Sequence, residues 1–348
     1  MSSLLPIDTL IARARANPDA LARLAAILIA RAEWEAGTRA ALAALDAGAD
    51  DPELVSRVQQ LLARRVPSWH FSIVRDQARN AAYDAALRRA VGPESRVLEI
   101  GTGSGILAMM AARAGAGAVV TCEMSPEIAA TATEIVTRNG YADRVKVIAK
   151  PSFELDADTD LGGRADVYVS EIVSNTIVGQ GALAVTEHAV AQLLQPGARI
   201  IPARGIVRVA LAHHPRFDTN RIGTEAGFDL TPLNRLAPIS YLLKRGDSQL
   251  QRMSAAADLF DFDFQSGGPY PASAARVELT AERAGANGVA QWIALQMDEE
   301  GWYENDPQPG AESCWAVLFW PFAHTRECPA GSIVPICGQH DRNALRIW

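Results

Sequence analysis

The chain has 348 residues, too many for one small core and enough for two or three packed units. Its 49 % hydrophobic and 21 % charged residues are those of an ordinary globular protein and exclude wholesale disorder. The net charge of -7, from 33 basic and 40 acidic residues, argues against a nucleic-acid-binding surface.

Residues 8–64 are rich in Ala, Leu and Arg and read as helices. Asn17-Pro18-Asp19 starts one, with Leu21, Leu24, Ala25, Leu28 and Ile29 on one face. A second runs over about 35–47 to Gly48, and Asp51-Pro52-Glu53 opens a third with Leu54, Val58, Leu61 and Leu62 as its stripe. Ala40, Ala47 and Pro52 have the offsets of a tetratricopeptide repeat helix, but one repeat cannot bury its own face, so a helical cap on the next unit is expected. Arg64-Arg65 suits the last helix's C-terminus.

From Arg96 the period changes. Strands are predicted at 97–100, 119–122, 145–148, 165–169 and from 198 to 201, with helices reaching Ala114 and over 127–138 and 182–195. This alternation predicts a doubly wound, mostly parallel sheet. After Pro202 strands are predicted at 205–212, 274–280, 291–297, 315–321, 332–337 and 344–348, forming an antiparallel unit, with an irregular 214–270 between the first two.

Glu99-Ile-Gly-Thr-Gly-Ser-Gly105 is the chemically informative segment. Gly101, Gly103 and Gly105 follow a strand and open a helix, where missing side chains let backbone approach a ligand. A nicotinamide fingerprint wants a glycine where Ile106 stands. The acidic Glu99 instead suits a sulfonium and amino group, and Glu123, ending the next strand, suits ribose hydroxyls. The nucleoside cofactor these residues favour is S-adenosyl-L-methionine.

At Val66-Pro-Ser-Trp-His-Phe71, Arg75-Asp76-Gln-Ala-Arg79-Asn80, 97–105, Glu123-Met124, Ser170-Glu171 with Gly179-Gln180-Gly181, Gly227-Phe-Asp-Leu-Thr-Pro-Leu-Asn-Arg-Leu-Ala-Pro238, Cys314-Trp315 and Gln339-His340-Asp341, the chain resembles the protein arginine methyltransferases. The likeness is greatest to branches with tandem modules or N-terminal tetratricopeptide repeats. It implies an α/β Rossmann-like class I methyltransferase domain at 66–201 with a helical lid, after a tetratricopeptide-like 1–65. An antiparallel β-barrel would follow at 202–348, carrying a dimerisation arm near 214–240.

The same resemblance implies site residues. Arg79 falls where a lid arginine clamps the methionine carboxylate, a task suited to a guanidinium fork. Thr102 lies in the glycine cradle, Met124 follows Glu123, and Ser152 and Phe153 fall at the adenine position. His70 and Asp76 match lid positions that pair with groups of the substrate site. The family holds its substrate guanidinium between two glutamates; here Glu171 keeps the first position and Gln180 takes the second. The family's Thr-His-Trp loop is Ser313-Cys314-Trp315, and Cys314 and Trp315 are expected at the acceptor pocket.

Three functions are compatible with these departures: methyl transfer to a guanidino nitrogen of protein or free arginine, a small-molecule N- or O-methyltransferase with a remade pocket, and a cofactor-binding scaffold without turnover. Glu187 is a possible replacement acid, though a solvated helix residue is the plainer reading, and Trp302 could flank the substrate mouth. His213-His214 do not make a metal site, since neighbours on a strand face opposite ways. The four cysteines show no Cys-x-x-Cys pair and are read as reduced thiols. The N-terminus lacks the basic region of a secretory signal, and no apolar run spans a bilayer, so a cytoplasmic protein without membrane contact is expected. Phe217, Phe228, Leu230, Leu233 and Leu236 give the arm a docking face, and a single module is expected to homodimerise.

Overall fold

The computed structural model describes residues 7–63, 66–218, 221–243, 246–310, 312–323 and 327–348. The expectation for Arg64-Arg65 lies outside them. Four helices come first: α1 (Ile7–Ala14), α2 (Pro18–Ala30), α3 (Trp34–Ala47) and α4 (Pro52–Ala63). The Asn17 side chain accepts the Ala20 N–H and caps α2, as its place before Pro18 predicts. Leu21, Ala25, Leu28, Ala40, Ala44, Leu54 and Val58 form a small core of their own. Ala47, in contrast, is exposed. At Gly37 a Cβ would meet Ile29 Cγ1 at 2.7 Å, so this glycine sets how closely α2 and α3 approach.

Next come α5 (Trp69–Ile73), α6 (Gln77–Ala90), β1 (Arg96–Ile100), α7 (Ile106–Arg113), β2 (Ala118–Cys122), α8 (Pro126–Arg138), β3 (Val145–Ile148), β4 (Ala165–Ser170), α9 (Ala182–His188) and β5 (Leu194–Ile201). The five strands make one parallel sheet in the order β3-β2-β1-β4-β5. The near-continuous burial of β1, β2 and β4 is what the centre of a sheet covered on both faces demands. Helix α3 packs on α8, which sets the N-terminal helices against the parallel sheet unit. The helix expected over 182–195 is shorter: α9 passes into a π-helical turn, Ala189–Leu193, and the chain is extended from Leu194.

The remainder is β-rich: β6 (Arg204–His213), β7 (Thr224–Glu225), β8 (Phe228–Asp229), β9 (Tyr241–Leu242), β10 (Gln251–Arg252), β11 (Ala257–Asp263), β12 (Ser273–Thr280), β13 (Gly288–Gln296), β14 (Trp302–Glu304), β15 (Leu318–Pro321), β16 (Ile333–His340) and β17 (Leu345–Ile347). One antiparallel sheet runs β10-β6-β13-β15-β9, with β11 on β6 and β14 on β13; a second runs β12-β16-β17. The antiparallel unit expected as a barrel is thus two separate hydrogen-bonded sheets, and among the described residues they do not close into one barrel. Between β11 and β12 the Gly267-Gly268-Pro269 turn redirects the chain, and proline supplies no ladder donor. The two sheets share a core: Gly338 of β16 lies against Leu259 and Phe260 of β11.

Three expectations need correction. The 214–270 stretch holds a true strand, β11, which pairs with β6 through a bulge at Asp258/Phe260. Strand 315–321 begins only at Leu318, because Trp315 and Ala316 hydrogen-bond to the loop after β4 instead of to a neighbouring strand. Phe217 is not on the arm surface: it is 8 % exposed and stacks on Phe319.

Candidate active site

In the parallel sheet the strand order reverses beside β1, so the crevice beyond the C-terminal ends of β1 and β4 is where ligands bind in such folds. Ile100 and Ser170 are register partners there, and Ser170 Oγ donates to the Ile100 carbonyl at 2.9 Å. The segments following both strands thus open on one crevice. One is the glycine turn and the other begins with Glu171.

The glycine turn is pinned to the end of β2 by Gly101 and Thr102 N–H groups donating to the Cys122 carbonyl. Thr102 Oγ1 lies 2.6 Å from Thr121 Oγ1, both buried. Gly101 has φ +90°, and a Cβ there would stand 2.6 Å from Ile172 Cγ2. Gly103, at φ +51°, would present a Cβ with nothing nearer than the Gly101 carbonyl oxygen and His70 Nδ1, both 4.0 Å away. The turn therefore keeps one side free for a ligand while its backbone conformation favours glycine. Gly105 begins α7 in the same left-handed conformation.

Glu123 is buried, with Oε2 accepting Gly103 N–H at 3.2 Å and Oε1 accepting Ser125 N–H at 2.9 Å. Met124 and Phe153 are exposed, Ser152 is buried, and the Phe153 ring lies 4.9 Å from His188. Glu99 is 1 % exposed, and its Oε2 has no hydrogen-bond partner. Burial raises its carboxyl to about 8, against the opposing pull of Thr121 and Arg79.

Arg79 projects from the first turn of α6, which Asp76 caps by accepting Arg79 N–H at 2.9 Å. Its Nη2 pairs with Glu171 Oε2 at 3.1 Å, with side chains 3 % and 8 % exposed. Arg79 Nε and Glu171 Oε1 are buried without hydrogen-bond partners. Burial lifts Glu171 to about 7, although Arg79 acts against the shift. The Arg79 guanidinium thus pairs with Glu171 and also lowers the shift of Glu99.

The remaining predicted residues fall into two groups. Asp76 joins the site to the β-rich half: its Oδ2 accepts Tyr303 O–H at 2.7 Å and Cys314 N–H at 2.8 Å. Burial holds the Cys314 thiol protonated, well above its usual range. Trp315 is 6 % exposed and donates Nε1–H to the Val173 carbonyl at 3.1 Å, which makes it a strut for the Glu171 loop. His70 stacks on Trp69 beside the glycine turn, and burial lowers its pKa.

Gln180, by contrast, is exposed at the far end of the loop, with φ +50° and no hydrogen bond from its side chain among the described residues. Glu187 is neither a second site acid nor a solvated residue. It accepts Tyr270 N–H and pairs with Arg342, and these outweigh its burial and lower its pKa. Trp302 is 47 % exposed on β14.

The sequence reading missed Tyr303, Asn175 and Gln291. Gln291 Nε2–H donates to the Asn175 carbonyl and Ala316 N–H to Asn175 Oδ1, so both brace the Glu171 loop. No spacing rule marks such residues, which lie more than 100 positions apart. The four cysteines are free thiols. His213 and His214 pair separately with Asp218 and Asp247. Among the described residues no cluster of three or more His, Cys, Asp or Glu is placed to hold a metal, and no helix is long and apolar enough to cross a membrane.

A left-handed glycine turn, an acid at the end of β2 and carboxyl groups at the β1/β4 crevice define the class I methyltransferase arrangement. Comparisons agree with that class. The pattern of the ribosomal protein L11 methyltransferase (PrmA) family matches residues 85–209. An arginine N(omega)-methyltransferase of Streptomyces achromogenes subsp. streptozoticus is 38 % identical over 280 residues, 80 % of this chain and 77 % of that protein. Protein arginine N-methyltransferase 7 of Drosophila melanogaster is 33 % identical over 250 residues, and the chain spans only 36 % of its length. The Trypanosoma brucei PRMT1 enzyme-prozyme complex with AdoHcy has the same fold, with TM-score 0.71 and 20 % identity over 80 % of this chain and 91 % of that one. The chain belongs to the arginine methyltransferase family and is an S-adenosyl-L-methionine-dependent methyltransferase.

Proposed function

We propose that the protein transfers a methyl group to a guanidino nitrogen of an arginine-like acceptor, free or within a protein. The observation that carries this is Glu171, whose Oε1 is buried and unpartnered at the mouth of the glycine crevice. A buried carboxylate oxygen lacking a donor calls for a cationic one, and a guanidinium offers five N–H groups. The name of the Streptomyces relative, which aligns over most of both chains, supports the same acceptor.

The crevice fits S-adenosyl-L-methionine. Arg79 Nε, buried without a partner, suits the methionine carboxylate; Glu99 Oε2 suits the amino group; the bare face at Gly103 admits the body of the ligand. Glu123 suits ribose and exposed Met124 and Phe153 suit adenine, with buried Ser152 beside them. Bound there, the cofactor supplies an electrophilic methyl on sulfur. Glu171 holds and orients the acceptor, since methyl transfer needs in-line geometry. With a pKa near 7, Glu171 is also able to take the proton that the methylated nitrogen sheds. Asp76 acts by positioning Arg79, and His70 by covering the glycine turn. Gln180 reaches the acceptor only from the solvent edge.

The test uses labelled cofactor with free arginine and, separately, arginine-rich peptides. Label on guanidino nitrogen is expected, and label only on carboxyl or hydroxyl groups overturns the reading. Gln180→Glu adds a carboxylate at the solvent edge and is expected to lower the acceptor KM about tenfold, roughly 1.4 kcal/mol. A raised KM would show that position 180 does not face the acceptor.

We also propose a homodimer through the arm, with the N-terminal helices as a cap and the units read as 1–65, 66–201 and 202–348. Phe228 is 70 % and Leu236 80 % exposed, with Leu233, Ile239 and Leu242 also bare, a face that a second copy would cover. Leu236→Asp combined with Ile239→Asp is expected to give a monomer by sedimentation. A parent protein that already sediments as a monomer would reject the dimer. Free thiols support a cytoplasmic setting.

A further inference from the structure

We propose that Tyr303 is the positioning residue that registers the Arg79 helix against the loop carrying Glu171, through the donor it gives Asp76. The inference rests on Glu171 and Arg79 forming the acceptor and cofactor site.

The hydrogen bonds around Tyr303 have only one consistent direction. A carboxylate accepts and cannot donate, so Tyr303 gives its single proton to Asp76 Oδ2, 2.7 Å away. Ser313 Oγ, also 2.7 Å from Tyr303 Oη, must then be the donor of that contact. Ser313 in turn accepts Trp315 N–H at 3.1 Å. The chain runs from Trp315 N–H through Ser313 and Tyr303 to Asp76, whose other oxygen caps α6 at Arg79. Asp76 and Tyr303 are 6 % and 5 % exposed, so water does not replace a lost donor there. Beyond Ser313 the same loop grips the Glu171 segment through Trp315 to Val173 and Ala316 to Asn175. Together with the Cys314 N–H, which donates to the same Asp76 oxygen at 2.8 Å, the phenol on β14 fixes the lid and the acceptor loop to a common frame, without touching Arg79 or Glu171 by any hydrogen bond among the described residues.

Tyr303→Phe keeps the ring against Trp315, whose centroid is 5.4 Å away, and removes only the donor. In protein saturated with S-adenosylhomocysteine, amides of 77–83 and 313–316 are expected to exchange with deuterium about tenfold faster. Adding Cys314→His should reverse this, because the 314 side chain already bonds Asp76 and an imidazole N–H would take the vacated place. Ser313→Ala, which keeps the phenol but loosens its orientation, should give about threefold faster exchange. With an active acceptor, Tyr303→Phe should raise KM about tenfold with a smaller change in kcat, again reversed by histidine.

Unchanged exchange in Tyr303→Phe overturns the proposal. So does faster exchange throughout the protein, or faster exchange that histidine does not reverse, since either marks a mere core residue. If Tyr303→Phe does not fold, Ser313→Ala decides, and parent-like exchange in it is a refutation. The exchange readout needs no acceptor, so a protein that methylates no guanidine fails the functional reading while leaving this result to stand or fall alone.

Discussion

Glu171→Gln is expected to lower kcat/KM for the guanidino acceptor by roughly 150- to 5,000-fold, as breaking a buried charge pair costs about 3–5 kcal/mol. Glutamine keeps the shape and one acceptor oxygen but no charge, so a bound guanidinium would lose its carboxylate partner. The cofactor Kd should change less than tenfold, because Arg79 remains. The pH profile gives a second check. Glu171 titrates near 7 and must be ionised to hold the cation, so kcat/KM should rise with pH up to about 7 and level off above it. In Glu171→Gln that limb should vanish. A variant retaining a tenth of parental activity would remove Glu171 from the chemistry.

Arg79→Met should weaken binding of S-adenosylhomocysteine by roughly 100- to 1,000-fold, read by calorimetry. Methionine fills most of the volume, so the loss is electrostatic. Glu99 and Glu171 lie near 8 and 7 with the guanidinium beside them. Without it their charged forms lose the cation that opposes their burial, both pKa values climb further, and at neutral pH the crevice offers two neutral acids. The methionine carboxylate loses its fork at the same time. Arg79→Lys should recover part of the affinity, since an ammonium restores charge but cannot serve Glu171 and a ligand carboxylate with a planar fork. A Kd within threefold of the parent would mean that Arg79 serves Glu171 alone.

These expectations separate what was legible in the sequence from what was not. The glycine turn, Glu99 and Glu123 could be picked out because short-range rules apply to them: a strand, a tight turn and a helix start, each with a residue type that the geometry requires; Arg79 and Glu171 were marked only by the resemblance to the arginine methyltransferases. Helices α2, α3 and α4 were legible from apolar spacing and the Asn17 cap. Strand β11 was not, because its alternation of apolar and acidic residues breaks at Leu259-Phe260, where the bulge falls, and its pairing partner lies some fifty residues earlier. Phe217 looked like a neighbour of Phe228 along the chain, yet the chain turns at Pro215–Phe217 and buries its ring on Phe319. Glu187 has the local sequence of an exposed helix residue; only the arrival of Tyr270 and Arg342 gives it a structural task.

By itself the sequence determined the parallel-sheet unit, its cofactor turn and the absence of a second glutamate at position 180, since these depend on residue identity and on spacings of a few positions. The tertiary structure decided what those residues face. It paired Arg79 with Glu171, left Gln180 at the solvent edge, and brought Tyr303 and the Cys314 N–H onto Asp76 from more than 200 residues away. Pairings of that kind arise where two sheets meet a helix, and residue spacing along one chain carries no record of such a meeting.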